Sequence, residues 1–230
     1  MKKITVIQHT SAEYLGLMED HLEGRRIRFQ YHRPFTEQGK IPAGDVGAGV
    51  IFLGGGPWGA AGARDLPTLA EEVALARACY MGGVPMIGIG LGAQIICLAC
   101  DGGVAPAPLT FSVGELRRID GSGLNGFMPV RAPHVIYMRD KPAPPPFAKT
   151  IAVDANGDAG VFQIGENIIG FTGHPGVKRA MVEDLVMEFD EGPAEPGPML
   201  DAVGAVKTEI EDSLVPIMTG LIQLTGWMRE

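Results

Sequence analysis

The order of apolar and polar residues divides the first hundred residues into short strands that alternate with helices. Apolar, β-branched runs predict strands over residues 4–8, 26–32, 50–53 and 85–89. Helical spacing predicts helices over residues 11–23, 66–80 and 93–100. Because strands that alternate with helices form a parallel sheet covered on both faces, this half of the chain predicts a three-layer α/β/α fold with a mostly parallel sheet.

Beyond residue 110 the pattern changes to short strands that are separated by turns. These strands are predicted over residues 112–119, 134–138, 150–155, 159–164 and 167–173. The last two are separated by a short turn with Gly165 and Asn167, which predicts a hairpin. A helix is predicted to follow over residues 177–189.

The C-terminal region has its own composition. Residues 191–198, EGPAEPGP, are predicted to be a linker, and apolar residues then recur at helical spacing from Met199 to Met228. The predicted organisation is therefore a domain over residues 1–190, the linker over 191–198, and an amphipathic helical extension over 199–230. An intramolecular cover, a dimer seam and a contact with another protein are all compatible with this stripe.

Composition and charge exclude several classes of protein. The formal charge is −8, from 19 basic and 27 acidic residues, which argues against a protein that binds nucleic acid through phosphates. No apolar stretch is long enough to span a membrane, and the N-terminal apolar run is too short for a signal peptide. Three cysteines do not indicate a disulfide framework, so a cytoplasmic protein is expected. No cofactor or metal site is predicted.

The 33 glycines are unusually many, and several of them mark one corner of the predicted sheet. In GIGLG, a glycine-rich turn joins the strand over residues 85–89 to the following helix, with Gly90 at its apex. Hydrolases use such an elbow to present a nucleophile. A second glycine loop, residues 54–56, follows the preceding strand. Backbone N–H groups of Gly56 and Leu91 are predicted to converge there as oxyanion donors.

Three segments resemble, in order, the signatures of class I glutamine amidotransferases. They are GGGPWG, GVPMIGIGLGAQIICLA and NIIGFTGHPG, which correspond to a GGP loop, a G-x-C-x-G-x-Q elbow and a G-x-Q-F-H-P-E segment. The resemblance covers roughly residues 2–190 and is greatest to stand-alone members related to the amidotransferase domain of GMP synthase. It implies the flavodoxin-like fold of that family.

The chain departs from this pattern at the catalytic positions. Gly90 stands where the family has its nucleophilic cysteine, and Gly176 stands where the family has the glutamate that orients the histidine. Only His174 remains of the triad. Covalent amide hydrolysis needs a thiolate and a base, and removal of triad members costs about four to six powers of ten in rate. Glutamine hydrolysis by the usual route is therefore expected to be absent.

The resemblance also implies a set of substrate-side residues: Gly55, Gly56, Leu91, Gln94 and His134. Gln94 matches the elbow glutamine that contacts the substrate amino acid, although a glutamine at the second turn of a helix also bonds backbone groups. His174 is either a remnant base that activates water or a structural histidine that hydrogen-bonds the glycine loops.

Three functions follow from these expectations. The first is an amidotransferase-like protein that keeps a pocket for a small amide, amino acid or related carboxylate without turning it over. The second is a hydrolase or amidotransferase that uses His174 and water in place of a cysteine. The third is a regulatory or structural subunit, with a homodimer or a synthase partner bound through the C-terminal helix.

Overall fold

The computed structural model describes residues 3–36, 39–42, 44–193 and 195–228. Residues 1, 2, 37, 38, 43, 194, 229 and 230, which fall within the predicted domain, linker and extension, lie outside the described residues. The strands are β1 (Lys3–Ile7), β2 (Arg28–His32), β3 (Val50–Phe52), β4 (Met86–Ile89), β5 (Gly103–Ala105), β6 (Thr110–Arg118), β7 (Arg131–Met138), β8 (Lys141–Ala143), β9 (Lys149–Val153), β10 (Ala159–Ile164) and β11 (Ile168–Phe171). The helices are α1 (Met18–Gly24), α2 (Leu69–Met81), α3 (Leu91–Ala99), α4 (Arg179–Glu188), α5 (Pro196–Ala205) and α6 (Lys207–Thr225), with a 3-10 helix over Gly123–Gly126.

A nine-stranded sheet forms the centre of the molecule, in the order β2-β1-β3-β4-β11-β10-β9-β6-β7. The strands from β2 to β11 in this order pair in parallel, and the remaining pairs are antiparallel. The hairpin between β10 and β11 is confirmed. β5 and β8, which the sequence did not predict, form a separate two-stranded antiparallel sheet.

Alternation along β1 shows how the sheet acquires its two covering layers. Ile4 and Val6 pack in a cluster with α1 and α6, whereas Ile7 packs in a second cluster with α2 and α3. Successive side chains of a strand point to opposite faces, so each buried strand supplies both layers of the core. The predicted α/β class with helices on both faces is confirmed. None of the helices in the described ranges is long and apolar enough to cross a membrane.

The C-terminal region is two helices that pack against the sheet. α5 begins at Pro196, inside the segment predicted to be a linker, because proline at the first helical position sacrifices no intrahelical hydrogen bond. α6 continues through Pro216, and its Leu214 and Leu221 are fully buried in the cluster with β1. The apolar stripe of α6 is therefore used within the chain. Trp227 closes this end by donating from Nε1 to the Ala48 carbonyl at 3.0 Å.

The helix predicted over residues 11–23 is wrong in its first half. α1 begins only at Met18, and residues 11–17 form a loop. Gly16 takes a φ of +62°, which a helix does not contain, and the Glu13 N–H donates to Thr10 Oγ1 at 3.0 Å. This loop crosses the carboxyl end of the sheet and places Glu13 at the glycine-rich corner.

Candidate functional site

Gly90 lies at the sharp turn between β4 and α3, as predicted. Its φ of 56° and ψ of −112° are rare for residues with a side chain, and its N–H donates to the Phe171 carbonyl at 2.8 Å. A Cβ built on Gly90 would have only the Gly54 Cα within 4 Å, at 3.5 Å. The corner therefore has the elbow geometry and has room for a side chain that the sequence does not supply.

Two flanking glycines allow α3 to start close to the sheet. A Cβ on Gly92 would lie 2.0 Å from the Phe52 carbonyl oxygen, and one on Gly88 would lie 2.5 Å from the Gly92 oxygen. Both contacts are with backbone atoms, which cannot move aside without shifting a strand or helix. These glycines are required by packing, in contrast to Gly90, where only the dihedral angles are restrictive.

The Glu13 side chain packs against the glycine loop that follows β3. The Gly56 N–H donates to Glu13 Oε2 at 3.2 Å, so one of the two predicted oxyanion donors already has a carboxylate partner. Glu13 is 5% exposed, and burial raises the pKa of its carboxyl to about 7. Gly55 packs against the Leu91 side chain, because a Cβ there would lie 2.3 Å from Leu91 Cδ2.

A buried ion pair lies beneath the glycine loop. His9 Nε2 is 2.7 Å from Glu72 Oε2, and His9 Nδ1 donates to the Gly54 carbonyl at 3.0 Å. Burial lowers the pKa of His9, but the Glu72 carboxylate and the hydrogen bonds outweigh it and raise this pKa overall. Thr68 Oγ1 donates to the second oxygen of Glu72 at 2.7 Å. An imidazolium that donates from both nitrogens thus ties the glycine loop to α2.

His174 is buried, and backbone groups bond both of its ring nitrogens. Its Nε2–H donates to the Tyr14 carbonyl at 2.8 Å, and its Nδ1 accepts from the Gly176 N–H at 3.1 Å. Burial lowers the pKa of His174 to about 4. A Cβ on Gly176 would lie 2.9 Å from Met18 Cγ and 3.1 Å from the Met18 nitrogen. The start of α1 therefore takes the space that a longer side chain at residue 176 would need.

A small cavity lies above Gly90. Its volume is about 20 Å³, enough for one water-sized molecule. Polar or glycine residues in its wall are Glu13, Gly90, Tyr137, Thr172 and His174. The Tyr137 hydroxyl is buried and has no hydrogen-bond partner within the described part of the chain.

None of the five predicted substrate-side residues is among the described residues that line this cavity: Gly55, Gly56, Leu91, Gln94 and His134. Gln94 is fully buried in α3, and its Nε2 donates to the Arg139 carbonyl at 2.6 Å. The Gln94 Oε1 atom has no partner among the described residues. His134 Nε2 is 2.8 Å from Thr172 Oγ1, and burial lowers the pKa of His134 to about 4. Neither side chain is among the described residues that line the cavity over Gly90.

Sequence reasoning missed Glu13, Tyr137 and the pair of His9 and Glu72. Glu13 was hidden by the incorrect helix over residues 11–23, in which it would be an ordinary surface carboxylate. Tyr137 lay within a predicted strand and carried no motif. The one available signal was His9 directly after a buried strand, at the same sheet edge as the glycine loops.

Comparisons with known proteins agree with this architecture. A family profile described as "Glutamine amidotransferase class-I" matches residues 13–186. No curated protein matches the chain in sequence. A glutamine amidotransferase from Methylobacillus flagellatus is 22% identical with a TM-score of 0.82, over 97% of this chain and 95% of that one.

Two further solved structures share the fold. A glutamine amidotransferase from Thermotoga maritima is 20% identical with a TM-score of 0.79, and 97% of each chain is covered. A protein from Thermoplasma acidophilum described as a putative GMP synthase subunit is 15% identical with a TM-score of 0.58, over 91% of this chain and 98% of that one. With the family profile covering most of its length, this chain belongs to the class-I glutamine amidotransferase family.

Proposed function

We propose that this chain is a class I glutamine amidotransferase-like protein that does not hydrolyse glutamine by the thiol route and keeps the corner over Gly90 as a closed site for a small ligand. The observation that carries the proposal is the elbow at Gly90. Its dihedral angles and free space suit a nucleophile, yet the residue has no side chain. Without a thiolate, no acyl-enzyme forms there, and the hydrolysis step loses its covalent path.

The surroundings of His174 support the same proposal. A general base needs a nitrogen free to accept a proton, and Nε2–H already donates to the Tyr14 carbonyl. The other nitrogen accepts from the Gly176 amide, where the resemblance would place a carboxylate. Because the Gly176 position is crowded by Met18, this arrangement favours a structural role for His174.

The size of the corner limits its ligands in this conformation. A cavity of about 20 Å³ holds a water-sized molecule, not an amino acid. Gly55, Gly56 and Leu91 lie outside the lining of this cavity, and they are proposed to form the wall of the ligand site on the side that the Glu13 side chain covers. Gln94 and His134 are proposed to support that wall from behind, since each bonds a group in a neighbouring element.

The test is ammonia release from glutamine by the wild type and by His174→Ala. The proposal expects both to match a protein-free blank. Release by the wild type that is abolished in His174→Ala would instead establish a hydrolase that uses His174 and water. Ammonia release that persists in His174→Ala would also contradict the proposal, because a group outside the triad positions would then hydrolyse glutamine.

We also propose that the chain works in the cytoplasm as one component of an assembly, either a homodimer or a complex with a synthase. The solved structure described as a putative GMP synthase subunit supports this interpretation by its fold. The three cysteines are free and buried, which suits a reducing compartment.

Because the inner face of α6 is occupied, a partner would meet its outer face, where Val215 is 52% exposed. Mass in solution of the wild type and Val215→Asp tests this, and an assembly unchanged by Val215→Asp would contradict it.

A further inference from the structure

The Glu13 carboxylate enters the corner from a loop that is fixed on both sides. The N–H groups of Ser11 and Ala12 each donate to the Glu188 carboxylate at 3.1 Å, which ties the start of the loop to α4. Further along, the Leu17 N–H donates to the Gly176 carbonyl at 2.9 Å. The side chain of Glu13 is thereby aimed at the glycine loop.

The glycine loop is shaped to receive this carboxylate. A Cβ on Gly54 would lie 1.7 Å from Glu13 Oε1, so any side chain at residue 54 would expel it. Gly56 adopts a φ of +55°, and its N–H donates to Glu13 Oε2 at 3.2 Å. The loop thus presents a backbone donor and an open face to one carboxylate.

One further group suits a ligand with an oxygen acceptor. The Tyr137 hydroxyl is a buried donor without a partner among the described residues, and it lines the same cavity as Glu13. The unused hydroxyl is an independent sign that the corner accommodates an oxygen ligand beyond what Glu13 satisfies.

We propose that the corner over Gly90 is a binding site for small carboxylates, which the Glu13 side chain occupies in this structure as an internal ligand. An external carboxylate and Glu13 exclude each other, because the space left beside Glu13 holds only a water-sized molecule. The ligand class is a short carboxylate whose oxygens accept from the Gly56 N–H and the Tyr137 hydroxyl. This site stands whether or not the chain hydrolyses glutamine.

The test is chemical rescue of Glu13→Ala by formate and acetate. Thermal unfolding is followed in sodium formate or sodium acetate and in sodium chloride of equal ionic strength. The melting temperature of Glu13→Ala should rise saturably with formate or acetate relative to chloride, because the ligand binds the folded state alone. The wild type and the matched control Glu166→Ala, which removes an exposed carboxylate, should show no such difference.

Two more variants keep the test decisive. Glu13→Ser also empties the corner while leaving a small polar side chain, and it is measured in the same salts in case Glu13→Ala does not fold. Adding Tyr137→Phe to the rescued variant should weaken formate binding roughly tenfold, since one hydrogen bond to a charged ligand is lost. Absence of a saturable response in both Glu13 variants, or an equal response in Glu166→Ala, would overturn the proposal. The inference rests on the ligand site of the proposed function, but ammonia release plays no part in this readout, so failure of the rescue and failure of the proposed loss of glutamine hydrolysis are distinguished.

Discussion

Replacing Gly90 with alanine should cost a moderate, well-defined amount of stability. The added methyl group meets only the Gly54 Cα, at 3.5 Å, which is an ordinary contact. The cost is therefore the strain of holding a side-chain-bearing residue at a φ of +56°, about 1–3 kcal/mol. For a chain of this size each kcal/mol lowers the melting temperature by about 2–4 °C, so Gly90→Ala should melt roughly 2–12 °C below the wild type.

Two other glycines give the matched comparison. Gly92→Ala would force a methyl group to 2.0 Å from the Phe52 carbonyl oxygen, so β3 or α3 must shift, and the loss should exceed about 3 kcal/mol. Gly114→Ala adds a methyl group with nothing within 4 Å and should change stability by about 0.5 kcal/mol or less. Chemical and thermal unfolding of the three variants ranks them. A loss of stability in Gly90→Ala as large as that in Gly92→Ala would contradict the free space above the elbow. A loss as small as that in Gly114→Ala would contradict the strain in the turn.

Three further predictions concern the supports of the corner. Leu221→Ala should lose about 2–5 kcal/mol in urea unfolding because this side chain is fully buried, whereas the exposed Val215→Ala should lose about 0.5 kcal/mol or less; equal losses would contradict the packing of α6. Glu72→Gln leaves the buried His9 imidazolium without its ion-pair partner and should lower the free energy of unfolding by about 3–5 kcal/mol. Glu71→Gln, at the exposed neighbouring position, should leave the free energy of unfolding almost unchanged. Between pH 4 and 6.5, His134 is neutral in the folded chain and protonated in the unfolded chain, so the free energy of unfolding rises with pH. His134→Gln should reduce that rise by about 1 kcal/mol per pH unit. An unchanged slope of stability against pH would contradict the lowered pKa of His134.

The elements that the sequence predicted well were those with local signals. The parallel strands β1, β3 and β4 are apolar runs that are buried on both faces, and the turn at Gly90 is bounded by glycines that packing requires. Hydrophobic periodicity and glycine spacing report these features directly. The hairpin of β10 and β11 was likewise encoded in its own short segment.

The parts that escaped prediction depend on distant contacts. Glu13 belongs to a loop because its neighbours bond residues far along the chain, such as Glu188, and no local pattern reveals that preference. The amphipathic stripe of α6 indicated that something covers it, but periodicity cannot distinguish the sheet of the same chain from a second molecule. Leu221 proved to face the sheet. His174 lines the cavity at the corner, but its two nitrogens bond Tyr14 and Gly176 and not the glycine loops that the sequence led us to expect.

The corner at Gly90 is proposed to lack the chemistry of glutamine hydrolysis. The most direct measurement is the rate of ammonia release from saturating glutamine by the wild-type chain. Enzymes typically turn over at about 10 s⁻¹, and loss of the nucleophile costs at least about four powers of ten. The expected rate is therefore below about 10⁻³ s⁻¹. A protein-dependent rate above that limit would contradict the proposal.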